Sequence, residues 1–333
     1  MIKKNKKNIE NIENEIILLI NQNKKIIKNP KPIPNSIKPI KPIKPIKPIK
    51  PIKPIKLIKP IKTKLVLSGG GMRGIAYLGA LKALDELNIL SGIDTFAAAS
   101  VGGLLIIMHI IGYTTDELYD FTKFFDFTKL TIINSTNLFT KFGLDDGMNV
   151  LKISAYIFKN KNIDENITFL ELYNLTKKTL YLSTVCVNDK SLIYLSYITT
   201  PNLKVIDALR MTSSVPIYFT PFIYENKMYI DGGCIDNYPI SLFKDNLSEV
   251  IGLFLNATVS KYDQITDLET YFIECCACML EGINRNLVLA FEDYTIHIYL
   301  DNISILNFDL DYKSKLEAYN AGYKAVINYF HIK

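Results

Sequence analysis

The chain has 333 residues, 48% of them hydrophobic, so most of it must bury a core and cannot be disordered throughout. It has no run of about 20 apolar residues, which argues against a spanning helix. The net charge of +6 conceals a split: residues 1–64 carry 18 lysines against three glutamates, whereas the remainder carries 21 basic and 30 acidic residues. A basic arm therefore precedes a mildly acidic globule.

In chain order, the first pattern is Ile9, Ile12, Ile16, Leu19 and Ile26, whose three-four spacing predicts one short amphipathic helix over 8–28, ending before Pro30. From Ile37 to Lys62 the chain repeats Lys-Pro-Ile with period three, broken at Leu57. Proline in every unit excludes an α-helix and suits a polyproline II spacer with three residues per turn. Such an arm is attracted to anionic membrane surfaces and, without specificity, to nucleic acid. A neutral low-complexity expansion explains the same composition equally well.

The globule is expected to begin at Leu65. Leu65-Val66-Leu67 reads as a strand and runs into Ser68-Gly69-Gly70-Gly71-Met72-Arg73-Gly74. Ile75, Leu78, Leu81, Leu84 and Leu87 then follow a helical period. Strand, glycine loop and helix is the order in which backbone amides meet an anion at a helix N-terminus. The glycines also fit Gly-x-Gly-x-x-Gly, a weak dinucleotide signal, or a plain tight turn. Thr95-Phe96-Ala97-Ala98-Ala99-Ser100-Val101-Gly102-Gly103 next places a serine between small residues, ahead of the apolar helix Leu104 to Ile111. Small neighbours let strand and helix approach closely and leave a serine hydroxyl at the apex of the turn, the layout of a nucleophile elbow.

Between Thr114 and Thr179, Phe121, Phe124, Phe125, Phe127, Phe139 and Phe142 as a group fit an apolar channel. Leu180 to Val187 and Ser191 to Tyr197 read as a hairpin closed by Asn188-Asp189-Lys190. Met228-Tyr229-Ile230 is an apolar strand ending in Asp231-Gly232-Gly233, Glu249 to Asn256 is a further strand, and Tyr271 to Leu280 and Leu316 to Phe330 read as helices. Alternating strands and helices predict a three-layer α/β/α domain on a mainly parallel sheet, with the site where the strands end.

Cys186, Cys234, Cys275, Cys276 and Cys278 are odd in number and three lie within four residues, a poor disulfide framework and a poor zinc site. The apolar stretch Ile16 to Ile20 is too short for a signal peptide and lacks a cleavage site. The expectation is an intracellular protein, cytoplasmic or peripherally associated with a membrane.

The glycine loop, the elbow and the Asp-Gly-Gly strand are each ambiguous alone. In this order they resemble the patatin-like phospholipase family, well over Leu65 to Asn246 and weakly beyond. Gly69 to Gly74 resembles the family's oxyanion motif with Arg73 at its basic position; Ser100 matches the nucleophile and Asp231 the second member of a Ser-Asp dyad. Ala208 to Pro216 and Asp231 to Ile240 resemble two further stretches of the family. The resemblance implies a catalytic core over 65–246 and a C-terminal part, 247–333, of the same globule. It also implies a serine lipid acyl hydrolase acting on phospholipid, with no metal or cofactor, in which the phenylalanine-rich region lies by the cleft mouth. Ser100 would attack the ester, Asp231 would move the proton, and the amides of Gly70, Gly71 and Met72 would hold the oxyanion.

The elbow departs from Gly-x-Ser-x-Gly at Ala98, with Ala99, Val101 and Gly102 completing it. This departure supports the alternative reading, a catalytically inactive patatin-like scaffold that binds lipid or protein. Of the three histidines, His109 lies about 13 Å along its helix from Ser100, His297 sits in a strand pattern, and His331 is three residues from the end, so none suits a triad.

Overall fold

The computed structural model describes residues 62–257, 288–300 and 303–332, with a few positions between 265 and 278. The helix expected over 8–28, the Lys-Pro-Ile repeat and most of the helix expected over Tyr271 to Leu280 lie outside the described residues. The globule takes up the chain slightly before Leu65. Lys62 Nζ donates to the carbonyls of Ser248 and Val250 at 2.7 and 3.0 Å, and the Thr63 amide donates to Glu249 O at 3.0 Å.

The strands are β1 (Lys64–Leu67), β2 (Thr95–Ala98), β3 (Gly143–Asp145), β4 (Thr179–Cys186), β5 (Ser191–Leu195), β6 (Ile217–Phe219), β7 (Phe222–Tyr224), β8 (Lys227–Asp231), β9 (Val250–Ala257) and β10 (Thr295–Leu300). The main sheet runs β10-β9-β1-β2-β4-β8-β7, with β5 also paired to β4. Its pairs are parallel from β10 to β4; β5 and β8 join β4 antiparallel, and β7 joins β8 antiparallel. The sheet is therefore mostly parallel, and β4–β5 is the expected hairpin. β3 and β6 form a separate parallel pair.

The strands at the centre are largely apolar and buried because both faces of the sheet are covered. Leu65, Val66 and Leu67 are all fully buried. Alternate residues serve opposite layers. On one face, Leu67 and Leu182 pack under α2 (Val101–Ile110), where a methyl group at Gly102 would stand 3.0 Å from Leu67 Cβ and one at Gly103 2.6 Å from Leu182 Cδ2. On the other, Val66, Ala97 and Phe254 form a core with Tyr238 and with Ile240 and Phe243 of the 3-10 turns over Pro239–Glu249. The result is the expected three-layer order.

The helix after the glycine loop, which we call α1 (Ile75–Glu86), packs against the terminal helix Tyr312–Ile332. The contact is backbone to backbone: a Cβ at Gly79 would stand 1.9 Å from Tyr319 O, and one at Gly322 1.8 Å from Ala76 O. Gly to Ala inside a helix ordinarily stabilises by about 1 kcal/mol. Here the sign reverses, and Gly79→Ala is expected to destabilise the protein by roughly 1–3 kcal/mol through overpacking. Urea denaturation reads this; an unchanged or raised midpoint would show that the two helices are not in such close contact.

Candidate active site

Ser100 joins β2 to α2 and has φ 50° and ψ −127°. Positive φ disfavours any residue with a Cβ by about 1–2 kcal/mol, so the turn must be held by its surroundings. Two devices hold it. The Ser100 amide donates to Thr212 Oγ1 at 2.9 Å, and the Thr212 hydroxyl donates in turn to Ser183 O on β4 at 2.7 Å. Behind the serine, a Cβ at Gly102 would also stand 2.9 Å from Ser68 O, so only glycine lets α2 approach β1 this closely. Ala98 is the last residue of β2, paired between Leu67 and Leu182 and absent from the positive-φ residues. Its methyl group is fully buried in the sheet, and Ala99 beside it is likewise buried. The departure from glycine at 98 thus falls at a strand position with no left-handed requirement.

Asp231 ends β8 beside Thr184 of β4. Its amide donates to Ser214 O at 2.9 Å, and its Oδ1 accepts the Gly233 amide at 2.7 Å. Ser214 is fixed by Arg210 on α3 (Val205–Thr212): the guanidinium donates to the Ser214 hydroxyl and to Thr220 O at 2.8 Å, while the Ser214 hydroxyl donates to Arg210 O at 2.7 Å. Arg210 is 2% exposed; burial lowers its pKa to about 10, against the opposing pull of Asp145 and Asp146. A close approach completes the wall, since a Cβ at Gly232 would meet Ser183 Oγ at 2.2 Å.

Ser100 and Asp231 come together in a nearly dry setting, 8% and 5% exposed. Burial pushes the Asp231 carboxyl up to about 6, while hydrogen bonds from the Ser100 hydroxyl and the Gly233 amide act in the opposite direction. An ordinary carboxylate near 4 is a weak base; one near 6 is a better proton acceptor yet mostly ionised at neutral pH.

The glycine loop is a 3-10 turn, Gly71–Gly74, leading directly into α1. The Gly69 amide donates to Asn237 O at 3.0 Å, and a Cβ at Gly69 would lie 3.3 Å from Ser100 Cβ. Gly71 has φ 53°, and a Cβ there would stand 2.0 Å from Ile305 O, so glycine is required twice over. Among the described residues no acceptor takes the amides of Gly70 and Gly71. Met72 differs from expectation: its amide donates to Ile305 O at 2.9 Å, which removes it from the set of available donors. Arg73 does not face an anion alone either, since its Nε donates to Ile303 O at 2.7 Å. Gly74 packs on Val101, the first residue of α2, where a Cβ would meet Cγ2 at 2.5 Å.

Several contributors carried no signal that reading along the chain could use. Tyr77, fully buried, donates to Ser68 O at 2.8 Å and supports the glycine loop from α1. Asp236 accepts from Tyr194 and from the Tyr238 amide, fixing the segment that holds Gly69. Thr212 and Asn237 stood inside stretches that resembled the family, and Ile305 stood in none. The histidines have other partners. His109 stacks edge-on against Phe96, and burial with nearby Lys178 lowers its pKa to about 4. His297 lies between Asn256 and Glu292 at 2.8 and 2.9 Å. His331 is exposed in the last helix.

The phenylalanines do not form one channel. Phe121, Phe125 and Phe127 pack on one another with centroids 4.9 and 5.1 Å apart, whereas Phe139 is 83% and Phe142 59% exposed.

Residues 65–244 match the family model described as patatin-like phospholipase. The chain belongs to the patatin-like phospholipase family. The uncharacterized protein R571 of Acanthamoeba polyphaga mimivirus is 31% identical over 282 residues, covering 79% of this chain and 91% of that protein. The probable lipid hydrolase 463L of Invertebrate iridescent virus 6 is 34% identical over 183 residues, covering 54% of this chain and 62% of that one. Among solved structures, VipD from Legionella pneumophila shares the patatin-like fold with a TM-score of 0.60 at 17% identity, over 82% of this chain and 67% of that one. Among the described residues no helix is long and apolar enough to cross a membrane.

Two predictions follow from this patatin-like site. Thr212→Val removes the acceptor of the Ser100 amide, and kcat of any Ser100-dependent reaction is expected to fall about tenfold or more with KM little changed, because a buried unpaired amide costs about 1–3 kcal/mol. Thr212→Ser should restore most of it; equal losses in both variants would deny the hydroxyl this role. The second concerns stability. The folded state holds the Asp231 proton more tightly than the unfolded state, so this group favours folding below about pH 4 and that contribution is lost as pH rises to about 6, an effect of roughly 3 kcal/mol. Asp231→Asn does not titrate. It should melt above the wild type at neutral pH, with the gap closing toward pH 4; a gap independent of pH would contradict the raised proton affinity.

Proposed function

We propose that the protein is a serine lipid acyl hydrolase that cleaves carboxylic esters of phospholipids, with Ser100 and Asp231 as its dyad. The observation that carries this reading is the pairing of a serine at positive φ with a dry carboxylate whose proton affinity is raised. Membership of the family supports the reaction class, and the relative named a probable lipid hydrolase supports the substrate class.

In this mechanism Ser100 Oγ attacks the ester carbonyl carbon while its proton passes to the Asp231 carboxylate. The amides of Gly70 and Gly71 stabilise the oxyanion of the tetrahedral intermediate, at about 2.7–4 kcal/mol for a donor of this kind. Collapse breaks the bond to the alcohol, which leaves with the proton from Asp231. Water then attacks the acyl-serine, Asp231 again taking and returning a proton, and the fatty acid is released. An acyl chain over the site excludes the remaining water and strengthens each electrostatic interaction. The basic arm would add attraction to anionic bilayers.

Hydrolysis of a phospholipid carrying two different acyl chains, followed by product analysis, tests the reading and reports the bond cut. Ser100→Ala and Asp231→Asn are each expected to lower kcat/KM at least about a thousandfold, and Ser100→Ala to abolish labelling by a fluorophosphonate. His297→Ala, altered at a strand position bonded to Asn256 and Glu292, should retain activity. Below about pH 6, kcat/KM should fall about tenfold per unit as Asp231 is protonated. A fully active Asp231→Asn variant would remove the dyad.

A further inference from the structure

Part of the phenylalanine-rich region lies uncovered. Ile132, Ile133, Phe139, Phe142 and Met148 are 43, 49, 83, 59 and 46% exposed, and they fall within seventeen consecutive residues. Exposed large apolar side chains grouped in this way mark an interaction surface. Negative charge in that stretch is confined to its end, where Asp145 is buried and Asp146 is exposed two residues before Met148. From 127 to 144 there is no Asp or Glu, while Lys129 and Lys141 are present, in a globule where acidic residues outnumber basic ones. Phe142 caps the short helix Ser135–Lys141 with φ 64° and ψ 27°. That conformation favours glycine or asparagine at a helix end, so a bulky aromatic there is neither a local preference nor a buried packing residue.

The face is held firmly. The Asn134 amide donates to Leu144 O at 2.8 Å, and the Ile132 amide donates to the Asp145 carboxylate. Asp145 Oδ1 accepts the Gly147 amide at 2.6 Å, and Asp145 O accepts the Thr220 amide at 2.8 Å. Arg210 donates to Asp146 O at 3.2 Å and also to Ser214, whose carbonyl accepts the Asp231 amide. One hydrogen-bonded scaffold thus carries both the apolar face and the strand that ends in Asp231.

We propose that the face formed by Ile132, Ile133, Phe139, Phe142 and Met148 docks on a lipid–water interface, with Lys129 and Lys141 against anionic head groups. This rests on the lipid-hydrolase reading above and adds the surface through which the protein meets its aggregated substrate. Aromatic and aliphatic side chains enter the acyl boundary while lysines remain among the head groups. A second copy would bring the same two lysines to both sides of a two-fold contact, a like-charge burden that anionic head groups do not impose.

The test uses the full chain with Ser100→Ala, so that vesicles are not consumed, and reads sedimentation with phosphatidylcholine vesicles with and without phosphatidylserine. High salt suppresses the arm's contribution. Phe139→Ser with Phe142→Gly is expected to lower binding at high salt to both vesicles by about tenfold or more; Gly at 142 suits the backbone. Lys129→Glu with Lys141→Glu should weaken binding to the phosphatidylserine vesicles at low salt alone. The same phenylalanine substitutions in the active chain should leave hydrolysis of a monomeric short-chain ester unchanged. Unaltered vesicle binding overturns the proposal, as does a dimer in sedimentation velocity that the phenylalanine substitutions dissociate. Vesicle binding with no hydrolysis of any ester by the unsubstituted chain would instead count against the enzymatic reading and leave the docking face standing.

Discussion

A single strained residue organises this molecule. Ser100 can hold φ 50° only because Thr212 takes its amide and Gly102 lets α2 close on β1. Each of these requirements reaches further. Thr212 must be anchored to Ser183, which places α3 over β4, and the approach at Gly102 brings α2 onto the sheet face lined by Leu67 and Leu182. The layering of the domain is thus the means by which an unfavourable turn is kept.

The carboxylate opposite it obeys the same logic. Asp231 gains proton affinity because it is buried, and the burial that makes it a better base is unfavourable to its charged form in the fold. Two hydrogen bonds limit that penalty without removing it. Further donors would stabilise the carboxylate, lower its pKa and weaken it as a base. The sparse coordination of Asp231 is therefore consistent with the proton-transfer role proposed for it. Asp236, five residues on, likewise accepts one hydroxyl and one amide, those of Tyr194 and Tyr238, and burial raises its pKa too; what differs is the partner, since its bonds fix the 236–238 segment whereas Asp231 meets the hydroxyl at the elbow.

What could be read from the sequence follows from the range of each interaction. β1, the glycine loop and α1 were legible because strand, turn and helix signals lie within about twenty consecutive residues. The elbow at Ser100 and the β4–β5 hairpin were legible for the same reason, and a resemblance to one family joined the separate pieces. The engagement of the Met72 amide is not legible along the chain, because its acceptor, Ile305 O, lies more than two hundred residues away. The fate of the six phenylalanines is not legible along the chain because composition cannot separate the packed trio around Phe125 from the exposed Phe139 and Phe142. Thr212 and Arg210 were visible as residue types, but their work depends on what lies opposite them in space.

The contact between Met72 and Ile305 also explains how the glycine loop can present donors at all. A glycine-rich loop with every amide free would sample many conformations, since glycine loses the most entropy on ordering. Here the ends are tied by Gly69 to Asn237 and by Met72 to Ile305, and Arg73 adds a third tie to Ile303. Only Gly70 and Gly71 remain between the ties with their amides untaken by the described residues. Engaging one potential donor thus holds the other two in place, and preorganisation of this kind is what makes an amide effective against a transient negative charge. The stretch around Ile303 and Ile305 lies beyond the matched family region, so in this chain the shape of the glycine loop depends on residues outside the part that resembles the family most.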